Sequence, residues 1–321
     1  MERDVFKDKV LSFFKEVGRD TVEVGMVLVK ITVPIIIITK IFEELGLIIY
    51  FSRLLEPVME IMGLPGSLGL VWATGLLTTL YGAMAVFAAL APGLDLTTAQ
   101  VTVLCSAMLI AHSLPIELSI SRKAGAGAIP MGLLRLIGAL VYAVILNWLC
   151  TVFNIWQEPA HIFFKGGGAE QSLFQWGISQ ISNIGLIFLV IFCILTGMKV
   201  LKAVGFLALL EWALKPVLPF FGMTQQAAPV TVLGMILGIG YGGALIIRET
   251  TKGTMSRKDV FNSLSLMALS HGLIEDTLLM VALGGKLGGI LWGRLLFSLI
   301  VVFLMVKIQA LLPSARVNNA A

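Results

Sequence analysis

Charge is scarce in this chain: 13% of its 321 residues are Asp, Glu, Lys or Arg, against roughly 25% in a soluble domain. With 58% hydrophobic residues and a mean hydropathy of +0.96, a soluble enzyme and a disordered chain are both excluded. Three cysteines, Cys105, Cys150 and Cys193, are too few for a disulfide framework. Each sits in an apolar run, where a buried thiol packs as a small hydrophobe. G-x-x-x-x-G-K-[ST] is missing, so nothing here drives a nucleotide-powered pump. Gly166-Gly167-Gly168 has no Lys-Ser/Thr behind it, and Gly238-x-Gly240-x-x-Gly243 has no βαβ context. H-E-x-x-H, G-x-S-x-G and C-x-x-C are also missing, and without a nucleophile–base pair the chain is not expected to be an enzyme. A net charge of +4 carries no nucleic-acid signal. In such a composition basic residues report orientation in a bilayer.

What is present is a succession of apolar stretches near 20 residues long, which predicts an all-α polytopic membrane protein. Residues 1–20 hold ten charges and no apolar h-region, so they do not form a signal peptide. Phe6, Val10, Phe13, Phe14 and Val17 share one helical face. Residues 1–21 are therefore predicted to form an amphipathic cytoplasmic helix, lying either on an anionic membrane surface or on the protein's own loops.

Slid against itself by 159 residues, the sequence matches without a gap. Pro57 meets Pro216, Gly63 meets Gly222, Gly75 meets Gly234, His112 meets His271 and Arg135 meets Arg294. Apolar coincidences are cheap in this composition; paired Pro, His, Arg and Gly at one offset are not. The chain reads as two copies of one unit, residues 22–153 and 183–309. An extracytoplasmic connection (154–182) joins them, and a cytoplasmic tail (310–321) follows. Each copy is expected to contain about three transmembrane helices, one amphipathic helix and one Gly-interrupted run, 66–91 and 225–250.

Charge decides whether that run crosses the membrane. If it turns back, 16 Lys and Arg fall inside and 4 outside; if it crosses, the split is 12 to 8. The positive-inside rule favours a re-entrant hairpin, with its tip expected at Tyr81-Gly82 and at Gly240-Tyr241-Gly242-Gly243. Three crossings is an odd number, so the second copy is expected upside down. Inverted repeats with broken segments near the midplane are a transporter signature. A multi-pass protein of the bacterial cytoplasmic (inner) membrane, both termini cytoplasmic, is the expected location.

The strongest local feature is the pair His112-Ser113-Leu114-Pro115-Ile116-Glu117 and His271-Gly272-Leu273-Ile274-Glu275-Asp276. Pro115 and Gly272 should break their helices there, and ionisable groups at that depth are functional candidates by default. Equal spacing from the following turns predicts two structural ion pairs, Glu117–Arg135 and Asp276–Arg294, which leaves Glu275 to face a cavity. Lys30 is expected to snorkel or pair, and His161 to be solvated. For His112 and His271 three roles stay open: bonding the hairpin tips, relaying protons, or ligating a metal through His271 and Glu275 at i,i+4. Ile116 replaces the glutamate in the first copy, so a symmetric metal pair is absent and no metal residue is assigned.

These elements together make the chain resemble the nucleoside-recognition (Gate) domain family of bacterial membrane proteins. That family is related to the cores of concentrative nucleoside transporters and of the ferrous-iron permease. The resemblance covers nearly the whole chain as two Gate units. It implies a transport core whose hairpin tips and broken helices enclose a site involving Thr78, Thr79, Tyr81, Gly82, Gly240, Tyr241 and Gly242, together with His112, Ser113, Glu117, His271, Gly272 and Glu275. The permease's soluble GTPase is missing, and Leu77-Thr78-Thr79-Leu80-Tyr81 stands where the nucleoside transporters carry a Gln-Thr-Glu type cluster. The expectation is a gradient-driven permease for a small polar solute, coupled to Na+ or H+ and holding no cofactor. Its partners would be the lipid bilayer and the solute, with a homo-oligomer left open. A non-transporting scaffold of the sporulation-associated type and a divalent metal permease are the alternatives.

Overall fold

The computed structural model describes residues 2–164, 172–214 and 216–311, with backbone alone at residues 2–14 and at some positions inside helices. Lys165, the Gly166–Gly168 run, Lys215 and the tail beyond residue 311, with Arg316, lie outside the described residues. So do the side chains of Phe6, Val10, Phe13 and Phe14.

The chain is all-α and polytopic. The first copy comprises α1 (Glu2–Glu44), α2 (Leu47–Ile61), α3 (Leu68–Leu77), α4 (Leu80–Leu90), α5 (Thr98–Ile110), α6 (Leu114–Lys123) and α7 (Ala128–Val152). The second comprises α8 (Leu173–Ala203), α9 (Phe206–Leu214), α10 (Ala227–Leu237), α11 (Ile239–Thr251), α12 (Arg257–Ser270), α13 (Glu275–Ala282) and α14 (Arg294–Leu311). The starts of α2 and α9, α3 and α10, α4 and α11, and α5 and α12 are each 159 residues apart. Among the described residues, five segments are long and apolar enough to span a bilayer: Thr98–Lys123, Ala128–Val152, Phe174–Ala203, Arg257–Ala282 and Gly288–Leu311.

Residues 2–21 do not form a helix of their own. They continue into α1, 43 residues without interruption, about 64 Å at about 1.5 Å per residue and roughly twice the hydrocarbon thickness. Val17 is buried, and Lys199 of α8 pairs with Asp20 at 2.7 Å and Glu16 at 3.0 Å. This end of α1 is therefore held against α8 by charge. Lys30 is exposed, as is His161. Among the cysteines, Cys105 and Cys150 are buried but Cys193 is exposed.

The Gly-interrupted runs do fold back on themselves. In the second copy Gly234 of α10 and Gly242 of α11 pack backbone to backbone: a Cβ on Gly234 would stand 3.1 Å from Gly242 Cα. In the first copy the matching contact is Gly75 of α3 against Ala83 of α4, where a Cβ on Gly75 would lie 3.2 Å from Ala83 Cβ. Residues eight apart meet this closely only across a hairpin, since a continuous helix would separate them by about 12 Å. The tips, however, are not at Tyr81-Gly82 and Gly240–Gly243. The chain turns at Thr78-Thr79 and at Gly238, whose φ is 95°. Thr79 caps α4 by accepting from Gly82 N–H at 3.2 Å. Gly82 and Gly242, after the two tips, serve the close approach of the arms, and the reversal itself happens a few residues earlier.

Both long central helices break where Pro115 and Gly272 stand. Ser113, at φ 48°, and Gly272, at φ 60°, are left-handed and occupy the same place in the two copies. The freed backbone groups are satisfied by the hairpins. Ser113 N–H donates to Gly75 O at 2.8 Å, and Leu273 N–H to Met235 O at 3.0 Å. A break at this depth is tolerable only with such partners.

Candidate functional site

The breaks between α5 and α6 and between α12 and α13 set two imidazoles side by side, their ring centroids 5.0 Å apart and their planes tilted by 42°. Each ring turns back onto its own helix, His112 Nδ1 lying 2.8 Å from Met108 O and His271 Nδ1 2.8 Å from Met267 O. A carbonyl only accepts, so Nδ1 carries a proton in both rings, and in the neutral tautomer each Nε2 presents a lone pair. The two Nε2 atoms stand 3.3 Å apart. Glu117, from the first turn of α6, places Oε1 3.4 Å from each of them. The other oxygen, Oε2, is held by Arg135 of α7. His112, His271, Glu117 and Arg135 are all buried. In that tautomer three acceptor atoms from both copies converge on one point, with no donor between them among the described residues.

The arginines complete the frame. Arg135 Nε donates to Ile110 O at 2.8 Å, covering a carbonyl orphaned at the end of α5. Arg294 donates to His271 O at 3.2 Å and, more loosely, to Leu109 O and Thr277 Oγ1, both at 3.4 Å. The Glu117–Arg135 ion pair is present. Asp276 and Arg294 interact electrostatically but make no contact within 4 Å among the described residues, and the hydrogen bonds of Arg294 go largely to the carbonyls of the two broken helices. Both guanidiniums act on the breaks, which equal depth alone does not foretell.

Glu275 accepts a hydrogen bond from Tyr81 OH at 3.3 Å, joining the start of α4 in the first copy to α13 in the second. It does not pair with His271 as the i,i+4 spacing allowed; the carboxylate at His271 is Glu117, from the opposite copy. The histidines bond helix carbonyls and stand against each other, and no bond from either to a hairpin tip is found among the described residues. Thr78 Oγ1 returns to Thr74 O at 2.7 Å, so it faces its own helix. Gly240 and Tyr241 are exposed and Gly242 is buried at the contact with Gly234. Of the predicted set, His112, His271, Glu117 and Arg135 form one cluster, Tyr81 and Glu275 a second contact, and Tyr241 neither. A hollow of about 810 Å³ lined by Trp212, Ala213, Pro216, Pro219, Gln225 and Ala228 involves none of them.

Chemically, two imidazoles and a carboxylate can share a proton or hold a cation. The backbone carbonyls and Arg135 fix the orientation of all three.

Fold and site define a helical integral membrane protein with a buried polar centre built from both halves. The chain is similar to an uncharacterized membrane protein, YvoD, of Bacillus subtilis, with 24% identity over 261 residues, covering 79% of this chain and 81% of that protein. No protein-family model and no solved structure matches it.

Proposed function

We propose that this protein is a gradient-driven permease for a small polar solute, built on two Gate-like units of opposite orientation in the bacterial cytoplasmic membrane. Both termini would be cytoplasmic, and Na+ or H+ would be the coupling ion. The observation that carries the reading is the joining of the two copies at their breaks: each has a folded-back hairpin bonded to a broken helix, and Tyr81 bonds Glu275 across the copies. Broken helices and hairpins are the elements that alternate between two packings when one repeat rocks against the other. Polar groups this deep are costly unless they serve a path or a partner.

Two measurements test it. Asp95→Cys and Lys252→Cys, in a background with Cys193→Ala, should label from opposite sides of the membrane. Ser113→Cys and Glu275→Cys should then react with a small polar thiol reagent, and proteoliposomes should take up at least one of uridine, adenosine or succinate under an imposed Na+ or proton gradient. Same-side labelling, or silence of both inner positions with no uptake of any probe, would leave a static scaffold as the better account.

A further inference from the structure

The three acceptors at the centre have the dimensions of a metal site. A tetrahedral ion bonded at about 2.0–2.1 Å to each donor holds its donors about 3.3–3.4 Å apart. The three edges between His112 Nε2, His271 Nε2 and Glu117 Oε1 are 3.3, 3.4 and 3.4 Å. We propose that His112, His271 and Glu117 together bind one divalent first-row transition-metal ion, which bridges the two copies of the repeat.

Three features point the same way. Each imidazole gives its Nδ1–H to a backbone carbonyl, the outer contact that fixes tautomer and ring plane in metal-binding histidines. Arg135 holds the second oxygen of Glu117, leaving Oε1 as the single ligating atom. The donor set, two imidazoles and one carboxylate, suits zinc, cobalt, nickel or iron and not the all-oxygen preference of calcium or magnesium. Three protein ligands on one face leave a fourth tetrahedral position for water.

The site goes beyond the transport reading and stands without it, since binding is read on the purified chain with no flux assay. The full-length protein in nanodiscs, its affinity tag removed, is stripped with chelator and titrated with Co2+. One equivalent should produce the ligand-field bands of a four-coordinate ion, abolished by Zn2+ and unaffected by Mg2+. Zn2+ should also raise the melting temperature, because a ligand bound only by the folded form stabilises it. His271→Ala and Glu117→Gln should each weaken Co2+ binding by more than the about 10–100-fold typical of losing an outer contact. Should a variant not fold, the spectrum and the Zn2+-induced shift of the unaltered protein still decide. If the unaltered protein gives neither bands nor shift, the cluster is held by a shared proton and the proposal fails. It fails equally if the folded variants bind Co2+ as tightly as the parent.

Discussion

Arg135 and Arg294 occupy the same position in the two copies, yet both reach the end of the same helix: Arg135 donates to Ile110 O and Arg294 to Leu109 O. The second copy does not have its own arginine to itself. The two halves are therefore interlocked at the break of α5, and the two arginines carry different loads.

That difference is testable. Arg135→Met strands Glu117, a buried carboxylate, and breaking a buried pair from one side costs about 3–5 kcal/mol. Arg294→Met removes hydrogen bonds to carbonyls and a hydroxyl without taking an ion-pair partner from any carboxylate within 4 Å, a loss of about 1–3 kcal/mol. Thermal unfolding in one detergent should rank Arg135→Met well below Arg294→Met, and Arg135→Met should recover in part when Glu117→Gln is added. Equal losses would show that the ion pair is not what makes Arg135 costly to remove.

Ser113 and Gly272 are equivalent left-handed residues, at φ 48° and 60°, and only one of them has a side chain. A non-glycine residue held there costs about 1–2 kcal/mol. Ser113→Gly should raise the melting temperature, by a stabilisation of about 1 kcal/mol. Gly272→Ala should lower it by more than that, since the new Cβ would run into the Asp276 side chain. Opposite signs at equivalent positions are the expected result.

The hairpin of the second copy separates three roles of glycine within nine residues. A Cβ on Gly240 meets nothing within 4 Å, one on Gly242 strikes Gly234, and Gly238 turns the chain at φ 95°. Gly240→Ala should be neutral or slightly stabilising. Gly242→Ala should cost about 1–3 kcal/mol by overpacking, and Gly238→Ala should lose stability through backbone strain although space is open around it. If Gly240→Ala costs as much as Gly242→Ala, the arms are not packed as described.

The repeat, the breaks and the presence of a hairpin are legible in the sequence because each rests on local chemistry: a proline without an N–H, a glycine without a Cβ, and identities recurring at one offset. The hairpin tip is misread by a few residues, since a glycine allows a turn and a close approach equally well, and only packing tells which. Contacts between the copies are hidden for a different reason. That Glu117 rather than Glu275 meets His271, or that Arg294 leaves Asp276 for the carbonyls of α5 and His271, depends on how two units pack, and spacing within one unit does not encode that. One signal is available. Two histidines at the same place in both copies, each at a break, must come together if the copies pair about an axis near that break, and His112 and His271 do so at 3.3 Å.

The bond between Tyr81 and Glu275 is the sharpest test of that pairing outside the histidine cluster, because one partner comes from each copy and neither belongs to the arginine network. Tyr81 is half-buried and its hydroxyl lies 3.3 Å from Glu275 Oε1, a long bond whose net worth is about 1 kcal/mol. Tyr81→Phe and Glu275→Gln, alone and together, should show a coupling of that order in a double-mutant cycle of unfolding free energies. Tyr241→Phe supplies the comparison: its ring is 54% exposed and in the same hairpin position as Gly82, so it should add to Glu275→Gln without coupling. If Tyr81 couples no more than Tyr241 does, the halves do not meet through the first hairpin. A coupling that appears only when vesicles carry no ion gradient would instead mean that the contact opens as the halves move, which is how a bond across a moving interface behaves.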